Sequence, residues 1–175
     1  MSIYYNKNFC FATVDPGLRG CGVAIFKGGN LSGALYVPNS ITDGRGYNAH
    51  AAMGAEVHSY LFASITGKII IEHPRIYPGS AQQKGDLNDL IDVACVGAAI
   101  SAMFPVGTVE TVFPADWKGQ VPKEVMTERI SRAISNDERG GIEKCYASLM
   151  HNVLDAIGIG LWKLGRINQK RIHNE

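Results

Sequence analysis

The sequence predicts an α/β domain on a mixed five-stranded sheet, three antiparallel hairpin strands then parallel βα units, flanked by helices on both faces. Two patterns lead there. Three apolar runs separated only by turn signals open the chain, as in an antiparallel meander. After them, short β-branched runs alternate with stretches of helical periodicity, as in βα units. The 175 residues are 46% hydrophobic, which suits one domain spanning 1–175. No internal repeat, low-complexity stretch or linker divides it.

Residues 8–14 are apolar almost throughout and read as a central strand buried on both faces. Strands at 21–26 and 31–37 follow, with Gly28, Gly29 and Asn30 as the hairpin turn between them. From 47 to 63 the pattern is helical: Met53, Val57 and Leu61 share a face, and Ala49, Ala52 and Gly54 allow close packing. Residues 68–71 form a short buried strand of the parallel type. A helix at 86–103, a strand at 106–112 and a helix at 123–135 come next. The last helix runs from about Ser148 to Leu164 and ends at Gly165.

Composition excludes several classes. No run approaches the roughly 18 apolar residues of a membrane span, and MSIYYNKNFC lacks the basic start and apolar stretch of a secretory signal. Cys10, Cys21, Cys95 and Cys145 contain no CxxC pair, so they read as reduced core thiols rather than a zinc site. A cytoplasmic location, in a bacterial cell or a phage-infected host, is the expectation. Net charge is +1, from 17 Lys+Arg against 16 Asp+Glu, which by itself requires no polyanionic partner. The basic residues are nonetheless clustered: KLGRINQKRIH has no acid, and Lys118 and Lys123 follow a proline turn.

Three acids carry most of the functional information. Asp15 closes an apolar run and opens a turn, Glu72 closes a second run in GKIIIEHP, and Asp155 lies in the helical HNVLDAIGIGLW. An unpartnered buried carboxylate costs several kcal/mol, and Asp and Glu are seldom buried unless paired or metal-bound. In the predicted sheet the first and fourth strands run parallel, so Asp15 and Glu72 end side by side, at the usual ligand position of such a sheet. The last helix can bring Asp155 there, with Ala156, Gly158 and Gly160 slimming it for close approach. Carboxylates that close repel one another, and all-oxygen ligands suit Mg²⁺ or Mn²⁺. Two such ions, about 3.5–4 Å apart, clamp a phosphodiester for in-line hydrolysis. Taken singly, each acid also has a structural explanation: Asp15 as a turn residue, Glu72 as a solvent-facing strand end, Asp155 as the partner of a buried lysine.

These residues resemble the RuvC family of Holliday junction resolvases, within the RNase H-like nuclease superfamily. The likeness rests on VDPGLRGCGVAIF, IIIEHP, HNVLDAIGIGL and the lysine-bearing PADWKGQVPK, the last similar to phage-type members. It spans about residues 9–165. The resemblance implies a homodimeric, Mg²⁺-dependent endonuclease, with Mn²⁺ substituting, that nicks two strands of a four-way junction and leaves 5′-phosphate and 3′-hydroxyl ends. It implies no small-molecule cofactor and no membrane. Asp15 would bridge two ions, Glu72 would hold the ion on the attacking-water side, and Asp155 would complete the shell.

One position departs from the family pattern. The Asp or His expected three residues before the final Asp is Asn152 here, with His151 one residue earlier. His151 shares a helix face with Asp155 at a spacing of four and can act as ligand or proton shuttle; Asn152 can coordinate through its carbonyl oxygen. The segment between Lys118 and Lys123 is also shorter than in bacterial relatives, which bears on junction selectivity. For DNA contact the candidates are Arg19 and Arg75 as forked phosphate donors, Tyr77 stacking on an unpaired base, and Lys118 and Lys123 on backbone phosphates. Three other readings compete: a sugar-kinase or actin-like ATPase, which needs two lobes; a non-catalytic junction-binding protein; and a broader nuclease cutting flaps, forks and three-way junctions.

Overall fold

The computed structural model describes residues 6–64, 67–76 and 86–167. Five strands, β1 (Cys10–Asp15), β2 (Gly20–Lys27), β3 (Asn30–Pro38), β4 (Ile69–Glu72) and β5 (Val109–Val112), form one sheet in the order β3-β2-β1-β4-β5. β1 is antiparallel to β2 and parallel to β4, and β5 is parallel to β4. This is the mixed sheet expected from the sequence.

The hairpin turns on Gly28 and Gly29, whose φ values of 59° and 86° lie in the left-handed region open to glycine without steric cost. The predicted fifth strand is shortened at its start. Val106 is fully exposed and Gly107 has φ 84°, so residues 105–108 make a reverse turn closed by Thr108 N–H donating to Pro105 O at 3.0 Å.

Helices α1 (Gly46–Leu61) and α2 (Leu87–Ala102) cover one face of the sheet. Asp86 caps α2 by accepting from the Asn88 N–H at 2.9 Å, satisfying one of the orphan donors at a helix start. Arg45, at the start of α1, pairs with Asp89 of α2, and buried His50 Nε2 lies 3.1 Å from Asp92 Oδ1. The other face carries the short turn α3 (Pro114–Trp117), α4 (Lys123–Ala133), α5 (Asn136–Arg139) and α6 (Met150–Lys163). Side chains alternate across a strand, so Ala12 and Val14 face α1 and α2 whereas Phe11 faces α6. No helix among the described residues is long and apolar enough to cross a membrane.

Two short helices escape sequence periodicity. α5 is too brief to show a repeat and is set by its cap, in which Ser135 Oγ accepts from Glu138 N–H and Glu138 Oε2 accepts from Ser135 N–H. Buried Glu138 also accepts from Leu31 N–H at 2.8 Å and from both Arg166 amino groups at 2.6 and 2.8 Å. Those bonds, the Arg166 pair first, hold its pKa down at about 2. The clamp fastens the end of α6 to the β2–β3 hairpin. Arg166 and Lys163, the latter 2.7 Å from Glu110 Oε2, are thus engaged within the fold, although both belong to the acid-free basic cluster of the sequence. α6 itself starts two residues after Ser148, because the Leu149 and Met150 N–H groups first close a turn on Tyr146 O.

Candidate active site

Asp15 is the last residue of β1 and Glu72 the last of β4, on adjacent parallel strands. Both point to the α6 face, since they follow Phe11 and Ile70 at even spacing. α6 is anchored there by Thr13, whose hydroxyl donates to Ala156 O at 2.6 Å. Asp155, the preceding residue, is thereby brought to the same end of the sheet.

The closest backbone approach is made by a glycine on the strand rather than by those of the helix. Gly22 pairs with Asp15 across β1 and β2, and a Cβ on it would lie 1.9 Å from Asn152 O. Gly158 and Gly160 instead admit aromatic rings: added Cβ atoms would lie 2.5 Å from Trp117 and 2.0 Å from Phe26. The slimming of α6 makes room for side chains beneath it.

The turn α3 completes the cluster. Pro114 starts it, and Asp116 Oδ2 accepts from Phe113 N–H at 2.9 Å. Trp117 is then fully buried, and its indole N–H donates to Glu72 Oε2. The next residue, Lys118, places Nζ 3.1 Å from Asp155 Oδ2, 3.7 Å from Glu72 Oε1 and 4.8 Å from the Trp117 ring centre. The structural explanation for Asp155, a lysine partner, is therefore part of the arrangement.

Electrostatics follow from the crowding. Burial, then repulsion from Glu72 and Asp155, pushes the Asp15 pKa well above its ordinary value, with Lys118 and Lys123 opposing. Burial also raises Glu72, against the pull of Lys118 and the Trp117 hydrogen bond. Burial works against a charged Lys118, but the three carboxylates together outweigh it and raise its pKa. Nearby Cys21 is pushed up to about 12, chiefly by burial, so it is no nucleophile at neutral pH.

The other sequence candidates fall around this cluster. Asn152 is half-buried, its amide nitrogen 3.8 Å from where a Gly17 Cβ would be, while His151 is exposed. Lys123 opens α4 and is exposed, within electrostatic reach of Asp15. Arg19 is exposed on the turn after Asp15, and Arg75 is exposed with its guanidinium 5.8 Å from the Phe113 ring centre. Tyr77 lies outside the described residues. Lys118, which reads from sequence as a phosphate contact, sits inside the acidic cluster. Sequence reasoning missed Trp117, Thr13 and Gly22; the signal for Gly22 was the Gly-x-Gly directly after the Asp15 turn.

Three carboxylates around one lysine offer hard oxygen donors, the donor chemistry that suits Mg²⁺ or Mn²⁺. Among the described residues no three acid, His or Cys side chains are drawn together as a ready metal shell; Glu72 and Asp155 instead share Lys118.

No protein-family model matches the sequence, and no curated protein does. Solved structures do match. The Thermus thermophilus RuvC structure is 17% identical at a TM-score of 0.55, over 90% of this chain and 98% of that one. RuvC of the same organism in complex with a Holliday junction substrate gives 17% identity and 0.55, over 88% of this chain and 92% of that one. The fold is RuvC-like. In this sheet Asp15 and Glu72 close adjacent strands, and α6 carries Asp155 to the same end.

Proposed function

We propose that the chain is a metal-dependent endonuclease that resolves four-way DNA junctions by paired symmetric nicks. One observation carries this reading: Asp15, Glu72 and Asp155 gather on one sheet face at the strand C-termini. That they do so in the fold of a RuvC solved with a Holliday junction substrate supports junction DNA as the substrate.

Asp15, Glu72 and Asp155 would hold two Mg²⁺ ions, or Mn²⁺, with Asn152 lending its carbonyl oxygen. Bound there, the ions would supply the positive charge that activates water and stabilises the leaving oxygen, giving 5′-phosphate and 3′-hydroxyl ends. The chain's own residues fix the geometry. Trp117 orients Glu72 through its N–H, and Thr13 sets the height of α6 and hence of Asp155. Exposed Arg19, Arg75 and Lys123 border this end of the sheet and are suited to backbone phosphates, which position DNA without reading sequence. Paired cuts call for a two-fold dimer. α2, which exposes Leu87 and Ile91, offers an apolar face for it.

The test is incubation with labelled four-way, flap and linear DNA, in Mg²⁺ and in EDTA. Symmetric nicks confined to the four-way junction and abolished by EDTA are expected. Equal cutting of flaps would make the protein a broader structure-selective nuclease. Junction binding without cutting would make it a binding protein, and neither binding nor cutting would remove the proposal.

A further inference from the structure

Lys118 is gripped more closely than a phosphate-binding lysine needs to be. Its side chain is only 28% exposed, and its ammonium touches Asp155 Oδ2 at 3.1 Å while facing Glu72 Oε1 at 3.7 Å and the Trp117 ring. Trp117 holds the second oxygen of Glu72, so Glu72 is pinned on one side and turned to Lys118 on the other. The peptide that places it is equally constrained: Lys118 N–H donates to Pro114 O at 3.0 Å, closing α3.

We propose that Lys118 is a built-in counter-ion that holds the place of the divalent metal in the free protein and competes with it for Glu72 and Asp155. The inference rests on the metal-dependent reading above. Buried carboxylates need a compensating cation, and without metal the ammonium supplies it. A divalent ion on the same oxygens would lie within a few ångströms of the ammonium, where like charges repel strongly in a partly buried site. The two therefore exclude one another. Lysine suits the exchange because its charge rides on a flexible four-carbon stem, and its remaining exposure leaves a way out to solvent. Once displaced, the same ammonium is free to meet the phosphate of a bound strand, so loading the metal converts an internal ion pair into a substrate contact.

The experiment uses DNA-free protein and Mn²⁺, counted by electron paramagnetic resonance, with Lys118→Met removing the charge while keeping an unbranched side chain. Mn²⁺ is expected to bind the variant about tenfold tighter than wild type, or more, and the metal-free variant to melt at a lower temperature. A second readout needs no variant: an amine-reactive label followed by mass spectrometry should modify Lys118 several-fold faster in saturating Mg²⁺ than in EDTA. Equal or weaker Mn²⁺ affinity in Lys118→Met, or labelling indifferent to Mg²⁺, overturns the counter-ion role and leaves the nuclease reading standing. Mn²⁺ binding to neither protein overturns both.

Discussion

Gly22→Ala tests the packing that assembles the site. The added Cβ would lie 1.9 Å from Asn152 O and 2.2 Å from its carbonyl carbon. Ordinary carbon–oxygen contact begins at about 3.4 Å, so α6 or β2 must recede by roughly 1.5 Å. These are backbone atoms, so no side-chain rotation relieves the clash. Asp155 rides on α6 three residues after Asn152, and Asp15 is the cross-strand neighbour of Gly22. The displacement therefore widens the gap between two of the three carboxylates. Overpacking of this kind costs about 1–3 kcal/mol, which for a domain of this size lowers the melting temperature by roughly 2–12 °C. A 1 Å misplacement can cost about a hundredfold in rate, so Mg²⁺-dependent junction cleavage should fall at least that far while the variant still folds. The assays are thermal melting by circular dichroism and single-turnover cleavage on a labelled four-way junction. A variant that melts with wild type and cuts at its rate would refute both the close approach and the dependence of the site on it.

Three further outcomes are expected. Asp15→Asn should abolish cleavage yet stabilise the metal-free protein at pH 7: a carboxyl whose folded pKa is raised contributes stability below its ordinary 3.8 and loses it as pH rises. The gain should shrink as the pH of the melt approaches 4, and a destabilised variant at pH 7 would count against it. For Glu138, held at about 2 against an ordinary 4.5, the sign is opposite. Its stability is present above pH 4.5 and lost as pH falls towards 2, so Glu138→Gln should cost about 1–3 kcal/mol at pH 7, the range for leaving a hydrogen-bond partner unmatched, and converge with wild type in acid melts. Finally, Asn152→Ala should slow cleavage more than His151→Ala, since Asn152 lies against the turn after Asp15 and His151 is exposed; the reverse ranking in a cleavage time course would hand the role to His151.

Much of this molecule is decided locally and is therefore legible in the chain. The glycines at 28 and 29 supply a turn open to few other residues, and apolar runs closed by Asp15 and Glu72 become strands ending in carboxylates. Helical spacing alone places Asp155 on α6. The pairing of the first and fourth strands was legible as well, but the close contacts around the acids were not, because nothing in one segment records which side chains pack on it. Gly22 reads as a strand glycine until α6 is laid over it, and Trp117 as a core aromatic until its N–H meets Glu72, 45 positions away. Lys118 carries the same lesson for charge. From sequence it is a phosphate-contacting cation after a proline turn, whereas the folded chain holds its ammonium over the Trp117 ring and shares it between Glu72 and Asp155. Residue type and spacing determine which groups can do chemistry, but tertiary packing decides which of them desolvate one another, and in a partly buried cluster that decides their charge and their partners.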